Sequence, residues 1–447
     1  MKHISEENTK PKLYKNVFPY EEIPKIKFNN IQYPMDIPNE IWITDTTFRD
    51  GQQSISNMSA EQMIKIYEML HELDNESGII RQTEFFLYDK KDRIAATKCI
   101  EKGYKFPEVT SWIRANKEDF NLVKSMGIKE TGILMSCSDY HIFSKLGKSR
   151  QEAMKMYLDI AYSALENGIV PRCHFEDITR ADFHGFVVPL AKKLMQMRKE
   201  SYLNVKIRAC DTLGVGISHT GVELPRSVPA IIHGLKNHAK VPSCSLEWHG
   251  HNDYYSAVTN STTTWLYGCS SVNTTLFGIG ERVGNTPLEA MLIEYAQIKE
   301  TTKNMNLQVL KNIEKFFEKE LHYEINPKTP FVGRDFNLTK AGIHADGLLK
   351  DEEIYNSFDT RKILGKPPLV AINSYSGISG IAYWINSYYG LEGDSKLKKG
   401  DERLITFKNK IDEEYHKGRT TNITNKEMKF LSNIYIFGNY EQKVQAI

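Results

Sequence analysis

Two histidines separated by one residue, His249 and His251, are the clearest candidates for chemistry in this sequence. Side chains two residues apart on an extended strand point to the same face, so the two imidazoles would lie side by side. Such a pair supplies two nitrogen ligands of the kind that bind divalent metals. Most isolated His-x-His pairs are ordinary surface or core histidines. The metal interpretation therefore requires a carboxylate and a further polar ligand at the same level.

Other apolar runs also end in polar residues, and these could complete a site around the histidines. One carboxylate, two imidazoles and an amide oxygen would leave positions open on an octahedral divalent ion. A 2-oxo acid could fill them through its keto oxygen and carboxylate, and Arg49 could stabilise the alkoxide formed when a carbon nucleophile attacks the ketone. Each candidate alone could be a salt bridge or a turn residue, but their joint occurrence indicates a site. They are Arg49, Asp50, Gln53, Glu84, Arg114, Glu176, Thr212 and Asn285.

The elements that position these residues follow a regular alternation of short apolar runs and amphipathic stretches. Eight strand–helix units over roughly 250 residues predict a (β/α)8 TIM barrel of the α/β class, whose active site lies at the carboxyl ends of the strands. A doubly wound sheet is the alternative. However, the nearest glycine run, Gly278–Gly284, has the wrong spacing for a dinucleotide site and follows the last strand. The predicted strands start near Ile41, Ile79, Phe106, Glu130, Val170, Val205, Ser245 and Ser271.

The sequence divides into four parts around this barrel. Residues 1–40 are polar and contain several prolines, which predicts an extended arm. Residues 41–300 form the predicted catalytic barrel, and 301–330 a linker helix. Residues 331–447 are expected to form a smaller C-terminal α+β or helical domain. Ser59 and Ser149, each followed three residues later by Gln or Glu, predict capping boxes at two barrel helices.

Composition excludes several classes of function. With 58 basic and 56 acidic residues and no basic block, the chain is not expected to bind nucleic acid or an anionic membrane. The mean hydropathy is −0.45, and no apolar run approaches the roughly 18 residues of a membrane span. The first residues lack the apolar core of a signal peptide. The six cysteines contain no CxxC pair, which is typical of reduced thiols in a cytoplasmic protein.

Three segments resemble the motifs of one enzyme family: Thr46–Gln53, His249–Asp253 and Gly278–Asn285. In this order they resemble the DRE-TIM metallolyases. More narrowly they resemble the Claisen-condensing branch, which contains isopropylmalate, homocitrate and citramalate synthases and the Re-type citrate synthases. The likeness extends from about Ile41 to Trp384.

The resemblance implies a divalent metal ion, with Mn2+ preferred and Mg2+, Co2+ or Zn2+ as alternatives. Its ligands would be Asp50, His249, His251 and Asn285. The resemblance also implies that Arg49 and Gln53 contact the keto acid and that Glu176 and Thr212 line its pocket, with catalytic roles for Arg49 and Glu176. Glu84 and Arg114, at the ends of the second and third predicted strands, are further candidates for substrate binding.

A segment beyond the barrel, Lys340–Gly347, resembles the second-domain segment of the same family. There a histidine, assisted by a tyrosine, reaches an active site that usually belongs to the partner subunit. His344 and Tyr355 are the matching candidates. On sequence alone His344 would be a turn residue. The resemblance instead implies a lid domain and a homodimer, and it assigns proton transfer to His344.

The expected reaction is condensation of acetyl-CoA with a 2-oxo dicarboxylic acid, preferably oxaloacetate, to give citrate and CoA. Gln52 stands where isopropylmalate and homocitrate synthases usually have Glu, a trait of the Re-citrate synthases. Arg172 is expected to bind the distal carboxylate of the acceptor, unless it only pairs with Glu176. His174, where homocitrate synthases tend to have Ser, would shorten the pocket and favour oxaloacetate over 2-oxoglutarate.

Other functions are open at this stage. Homocitrate, isopropylmalate or citramalate synthase would use a different 2-oxo acid. A lyase of the same barrel family would cleave rather than condense, but the second-domain histidine segment argues against it. A barrel retained only as a binding protein would have no reason to keep Arg49, Asp50, His249 and His251 together.

Overall fold

Eight parallel strands close into a barrel in the computed structural model, which describes residues 10–55 and 57–438. Each strand pairs with the next, and β8 pairs with β1. Each also begins within two residues of its predicted start, so the TIM barrel is confirmed and the doubly wound sheet is excluded. The strands are β1 (Trp42–Asp45), β2 (Ile80–Phe86), β3 (Glu108–Ile113), β4 (Glu130–Ser136), β5 (Val170–Glu176), β6 (Lys206–Asp211), β7 (Leu246–Gly250) and β8 (Ser271–Thr274).

Eight helices follow the strands and cover the barrel. Ser59 and Ser149 form the predicted capping boxes, in which each serine accepts a hydrogen bond from a backbone amide and the side chain of Gln62 or Glu152 bonds back. The helices are α1 (Ala60–Asp74), α2 (Lys90–Glu101), α3 (Asp119–Ser125), α4 (Arg150–Glu166), α5 (Val188–Ser201), α6 (Val228–Asn237), α7 (Ala257–Leu266) and α8 (Leu288–Lys299).

The barrel interior contains ionised side chains in place of the usual branched apolar layers. We call the set the buried charge network. Arg208 joins Glu84 at 3.2 Å and Glu247 at 2.7 Å. Lys206 lies 2.6 Å from Glu130. Its members are Glu84, Glu130, Glu247, Arg172, Lys206 and Arg208. Three cations balance three carboxylates, which is the condition under which buried charges are tolerated.

The described part of the N-terminal arm has no helix and runs along the barrel. Leu13 accepts a hydrogen bond from the Tyr140 hydroxyl, and Lys25 accepts one from Arg226. Val17 and Phe18 are buried in a small apolar cluster with Val215. The first nine residues of the predicted arm and residues 439–447 of the predicted C-terminal region lie outside the described residues.

The chain separates into two compact units. Among the described residues, the first holds those up to Asn306 together with Lys315–Tyr323, and the second holds Leu307–Glu314 together with those from Glu324 to Gly438. A helix, α9 (Leu310–Glu320), follows the barrel.

The second unit is helical, with one short parallel strand pair. Its core is apolar and includes the fully buried Ile381, Leu404, Phe407 and Met428. The elements are β9 (Leu338–Thr339), α10 (Gly342–Lys350), α11 (Thr360–Leu364), β10 (Leu369–Val370), α12 (Ile378–Tyr389), α13 (Glu402–His416) and α14 (Asn425–Tyr435). Within the described residues, no helix is both long and apolar enough to cross a bilayer. All six cysteines are unpaired.

Candidate active site

Asp50, His249 and His251 lie together at the carboxyl end of the barrel. Asp50 comes from the turn after β1, His249 from β7, and His251 follows β7. Nε2 of His249 lies 3.1 Å from Nε2 of His251 and 3.3 Å from Oδ2 of Asp50. One potential ligand atom from each residue lies within 4.8 Å of the others. Because two imidazole nitrogens and a carboxylate oxygen converge on one point, the residues fit a divalent metal ion.

The electrostatics of these groups also suit a metal. Burial raises the pKa of Asp50, but nearby Arg49 and His249 outweigh it and hold the pKa below its usual value. Burial lowers the pKa of His249, and burial together with His249 lowers that of His251 to about 4. The carboxylate is therefore ionised and both imidazoles are neutral near pH 7, which are the forms that bind metals. Nδ1 of His249 lies 2.8 Å from Oδ1 of Asn273, which fixes the ring and directs Nε2 to the site.

Asn285 is placed beside these ligands by the loop after β8. Its backbone forms a bridge with His251. Its Nδ2 donates to the carbonyl of Ile279 at 3.0 Å, so Oδ1 points to the opposite side. Oδ1 is buried and has no hydrogen-bond partner among the described residues. Gly280 makes room for this amide, because a Cβ there would lie 2.2 Å from Nδ2 of Asn285. An amide oxygen held in this way fits the predicted fourth ligand.

Glu176 ends β5 and Thr212 directly follows the neighbouring strand β6, so both lie at the carboxyl end of the barrel. Glu176 accepts hydrogen bonds from the Ser136 hydroxyl and from His141, whose Nδ1 is 2.9 Å away, and Lys145 lies 3.3 Å away. Burial would raise the pKa of Glu176, but His141 lowers it to about 2, so the carboxyl group is ionised. Oγ1 of Thr212 accepts a hydrogen bond from the backbone of Asp177.

Arg172 points into the barrel as its spacing predicted, but its partners are not the predicted ones. Its Nη2 lies 2.5 Å from Glu84 and its Nη1 lies 3.0 Å from Glu130, and the side chain is 1% exposed. The predicted alternative partner, Glu176, has Ser136, His141 and Lys145 instead. Because both terminal nitrogens are used inside the buried charge network, binding of a distal substrate carboxylate by Arg172 is not supported. The same geometry makes Glu84 a member of the network and not an open pocket residue.

His174 lies in a space that Gly132 leaves on the neighbouring strand. A Cβ at residue 132 would lie 2.6 Å from Nε2 of His174. The ring is 2% exposed. Burial and the nearby Arg208 and Arg172 lower its pKa well below the usual value, so the ring is neutral.

Two further predicted residues lie at the rim. Gln53 is exposed in the turn after β1, next to the buried Gln52. Arg114 is also exposed, with its guanidinium 4.5 Å from the centre of the Tyr88 ring and 3.9 Å from Asp119. The structure therefore does not bring Arg114 into the group around Asp50.

His344 and Tyr355 come together in the second unit. Their ring centres are 4.5 Å apart, and both side chains are exposed. Nδ1 of His344 lies 3.2 Å from the hydroxyl of Thr339. Gly347 leaves the space for the tyrosine, because a Cβ there would lie 2.4 Å from its ring. The arrangement leaves an imidazole and a phenol accessible to a ligand or to another subunit.

Sequence reasoning missed several residues that shape the site. Trp112 and Phe86 flank Arg49, Asp92 contacts Gln52, and Asn273 fixes His249. Two signals could have found some of them. Phe86 and Trp112 lie at even spacing from inward-facing residues of the same strands, and an isolated glycine inside a strand, such as Gly132, often marks a close approach.

The chain is similar to several known proteins. A model of the HMGL-like family matches residues 40–317. The chain is 64% identical to a citrate (Re)-synthase from Clostridium kluyveri over 94% of this chain and 93% of that protein. It is 50% identical to a citrate (Re)-synthase from Syntrophus aciditrophicus over 94% of this chain and 67% of that protein.

A crystal structure of hydroxymethylglutaryl-CoA lyase from Pseudomonas aeruginosa is similar in fold. It superposes with a TM-score of 0.52 at 17% identity, covering 65% of this chain and 95% of the lyase. At that identity the likeness supports the barrel alone.

Proposed function

The chain belongs to the HMGL-like family, and from that premise we propose that it is an acyltransferase that condenses acetyl-CoA with oxaloacetate to give citrate and CoA. The observation that carries the proposal is the 64% identity to a citrate (Re)-synthase along 94% of this chain. This similarity extends over the second unit as well as the barrel. The likeness to the lyase, by contrast, supports the barrel alone.

We assign binding of the acceptor to the carboxyl end of the barrel. Asp50, His249, His251 and Asn285 would hold a divalent ion, for which we propose Mn2+, with Mg2+, Co2+ or Zn2+ as alternatives. When bound, such an ion polarises a ketone carbonyl. Arg49, with Nη1 3.4 Å from Asp50, would stabilise the negative charge that develops on the ketone oxygen.

Proton transfer is assigned to the second unit. The acetyl methyl group must lose a proton before it attacks, and the thioester product must then be hydrolysed. An exposed imidazole beside a phenol, as in His344 and Tyr355, suits these steps. The ionised Glu176 would form part of the pocket wall, with Thr212 beside it and Gln53 at its mouth.

We propose that the active form is a cytoplasmic homodimer in which His344 acts at the partner's barrel. Mixing inactive His344→Ala protein with inactive Asp50→Ala protein should then restore activity through hybrid sites. If the subunits exchange and no activity returns, sharing of the site is wrong.

The function is tested by acetyl-CoA-dependent release of free thiol with four acceptors in parallel: oxaloacetate, 2-oxoglutarate, 2-oxoisovalerate and pyruvate. We expect oxaloacetate to give the highest kcat/KM and citrate as product, with Asp50→Ala as the inactive control. A preference for 2-oxoglutarate would instead identify a homocitrate synthase. Thiol release without citrate would contradict the proposal.

A further inference from the structure

The guanidinium of Arg49 packs against two aromatic rings that adjoin each other. Its Cζ atom is 4.8 Å from the centre of the Trp112 ring and 5.7 Å from that of Phe86. The two rings meet edge to face at 5.5 Å. Trp112 and Phe86 are paired residues of β3 and β2, so the barrel itself sets their positions. We call Phe86 and Trp112 the aromatic clamp.

This environment differs from that of the other inward-facing arginines. Arg172 and Arg208 each contact at least two carboxylates of the buried charge network. Among the described residues, Arg49 has one carboxylate within ion-pair distance, that of Asp50 at 3.4 Å, and Asp50 is itself a candidate metal ligand. A ring face attracts a cation without consuming its N–H groups. A guanidinium held by rings therefore keeps donors available for an anionic ligand.

Gly132 supports the same arrangement. A Cβ at residue 132 would lie 2.9 Å from Cδ1 of Trp112. The indole can approach the neighbouring strand only because residue 132 has no side chain. In the described part of the chain Nε1 of Trp112 has no hydrogen-bond partner, so the ring acts through its face.

From this geometry we propose that Trp112 is a positioning residue that, with Phe86, holds the Arg49 guanidinium ready for the developing alkoxide of the acceptor. The inference rests on the proposed condensation. Trp112 does not contact the substrate in this proposal. It orients the Arg49 guanidinium and leaves its positive charge and its N–H donors available to the acceptor.

Chemical rescue tests this role. In Arg49→Ala the empty clamp should bind free guanidinium, so millimolar guanidinium chloride should raise the low activity by about tenfold, while uncharged urea should not. In Arg49→Ala/Trp112→Leu the rescue should disappear. Equal rescue with and without Trp112 would overturn the inference. A purely structural role of Trp112 predicts no such difference.

Single variants provide the second measurement. Trp112→Phe keeps a ring face and should stay within about threefold of wild-type kcat/KM, whereas Trp112→Leu should lose about ten- to thirtyfold. If Trp112→Leu does not fold, Phe86→Leu replaces it, with a smaller expected loss. Trp42→Leu is the matched control, because it removes a similar contact with Arg81 at 4.2 Å at the start of β1.

The outcomes separate this inference from the proposed function. If wild-type protein forms no citrate, the proposed function fails and the inference falls with it. If wild-type protein forms citrate and Trp112→Leu is equally active with unchanged metal content, only the inference fails.

Discussion

The side-chain amide of Gln52 donates a hydrogen bond of 3.3 Å to the carboxylate of Asp92, and both residues are buried. The same amide donates to the backbone carbonyl of Phe48. The contact joins the turn that carries Arg49 and Asp50 to the first turn of α2. A neutral amide at residue 52 is therefore complementary to the acid at residue 92.

Replacing this amide by a carboxylate should disturb the site. Gln52→Glu would bring two buried acids together, which we expect to lower the free energy of unfolding by about 1–3 kcal/mol and to reduce metal retention. Adding Asp92→Asn to this variant should restore most of the lost stability and metal retention in the double variant Gln52→Glu/Asp92→Asn. Urea unfolding and metal analysis of the four proteins form a double-mutant cycle, and strict additivity would contradict the pairing.

Metal removal provides the second prediction. Chelation should abolish activity, and Mn2+ or a similar ion should restore it, because two imidazoles and a carboxylate converge in the group Asp50, His249 and His251. His249→Ala should retain less than about a tenth of the wild-type metal. His219→Ala, which removes an exposed histidine, is the control and should retain all of it. Full turnover of metal-free protein would exclude a metal mechanism.

Acceptor choice should depend on the ring of His174. His174→Ser would empty the space beside Gly132, so the ratio of kcat/KM for 2-oxoglutarate to that for oxaloacetate should rise about tenfold or more. Gly132→Ala should instead push the ring out of its place and depress the use of both acids. The exposed His184 supplies the control His184→Ser. An unchanged ratio in His174→Ser would show that His174 does not determine which acceptor the pocket prefers.

The pH dependence of stability should contain a contribution from Glu289. This residue lies in the first turn of α8 and is 1% exposed. It accepts a hydrogen bond from the backbone of Phe277 at 3.0 Å. Burial raises its pKa from 4.5 to about 7. Because the folded protein binds this proton more tightly than the unfolded chain, the contribution to stability is complete below pH 4.5 and is lost as the pH rises through 7.

The variant Glu289→Gln should remove that dependence. The amide can still accept the bond from Phe277 but does not titrate. We expect it to be more stable than wild type at pH 8 by up to about 3 kcal/mol, with the difference shrinking toward pH 4.5. Urea midpoints at several pH values measure this difference. The exposed Glu300 supplies the control Glu300→Gln, and parallel curves for wild type and Glu289→Gln would disprove the assignment.

The degree to which sequence predicted this molecule depended on the kind of signal. Strand alternation and the position of polar residues after each strand were sufficient for the barrel and for the placement of Asp50 near His249 and His251. Both signals are local, since each is read from one strand and the turn after it.

The partners of a side chain inside the barrel could not be predicted in the same way. Even spacing correctly turned Arg172 inward, but it could not tell that the side chain meets Glu84 and Glu130 from β2 and β4. That outcome depends on the register between strands, as does the approach of Trp112 to Gly132.

Arg172 supplies the last prediction, because the structure reverses its expected role. Its guanidinium lies between Glu84 and Glu130 and is 1% exposed. Burial would raise the pKa of both carboxyl groups, but the network cations outweigh it and keep both pKa values below their usual range. Arg172→Leu would leave the three buried carboxylates of the network facing only two cations, Lys206 and Arg208, so we expect the free energy of unfolding to fall by about 3–5 kcal/mol.

Neutralising a carboxylate in the same variant tests this explanation. Arg172→Leu/Glu130→Gln should recover part of the stability, because the network then again holds equal numbers of cations and carboxylates. The fraction that folds should keep the wild-type KM for oxaloacetate, since the lost cation faced protein carboxylates and not the substrate. If Arg172→Leu instead unfolds at the wild-type urea concentration and selectively loses oxaloacetate, the guanidinium binds the acceptor and the network explanation is wrong.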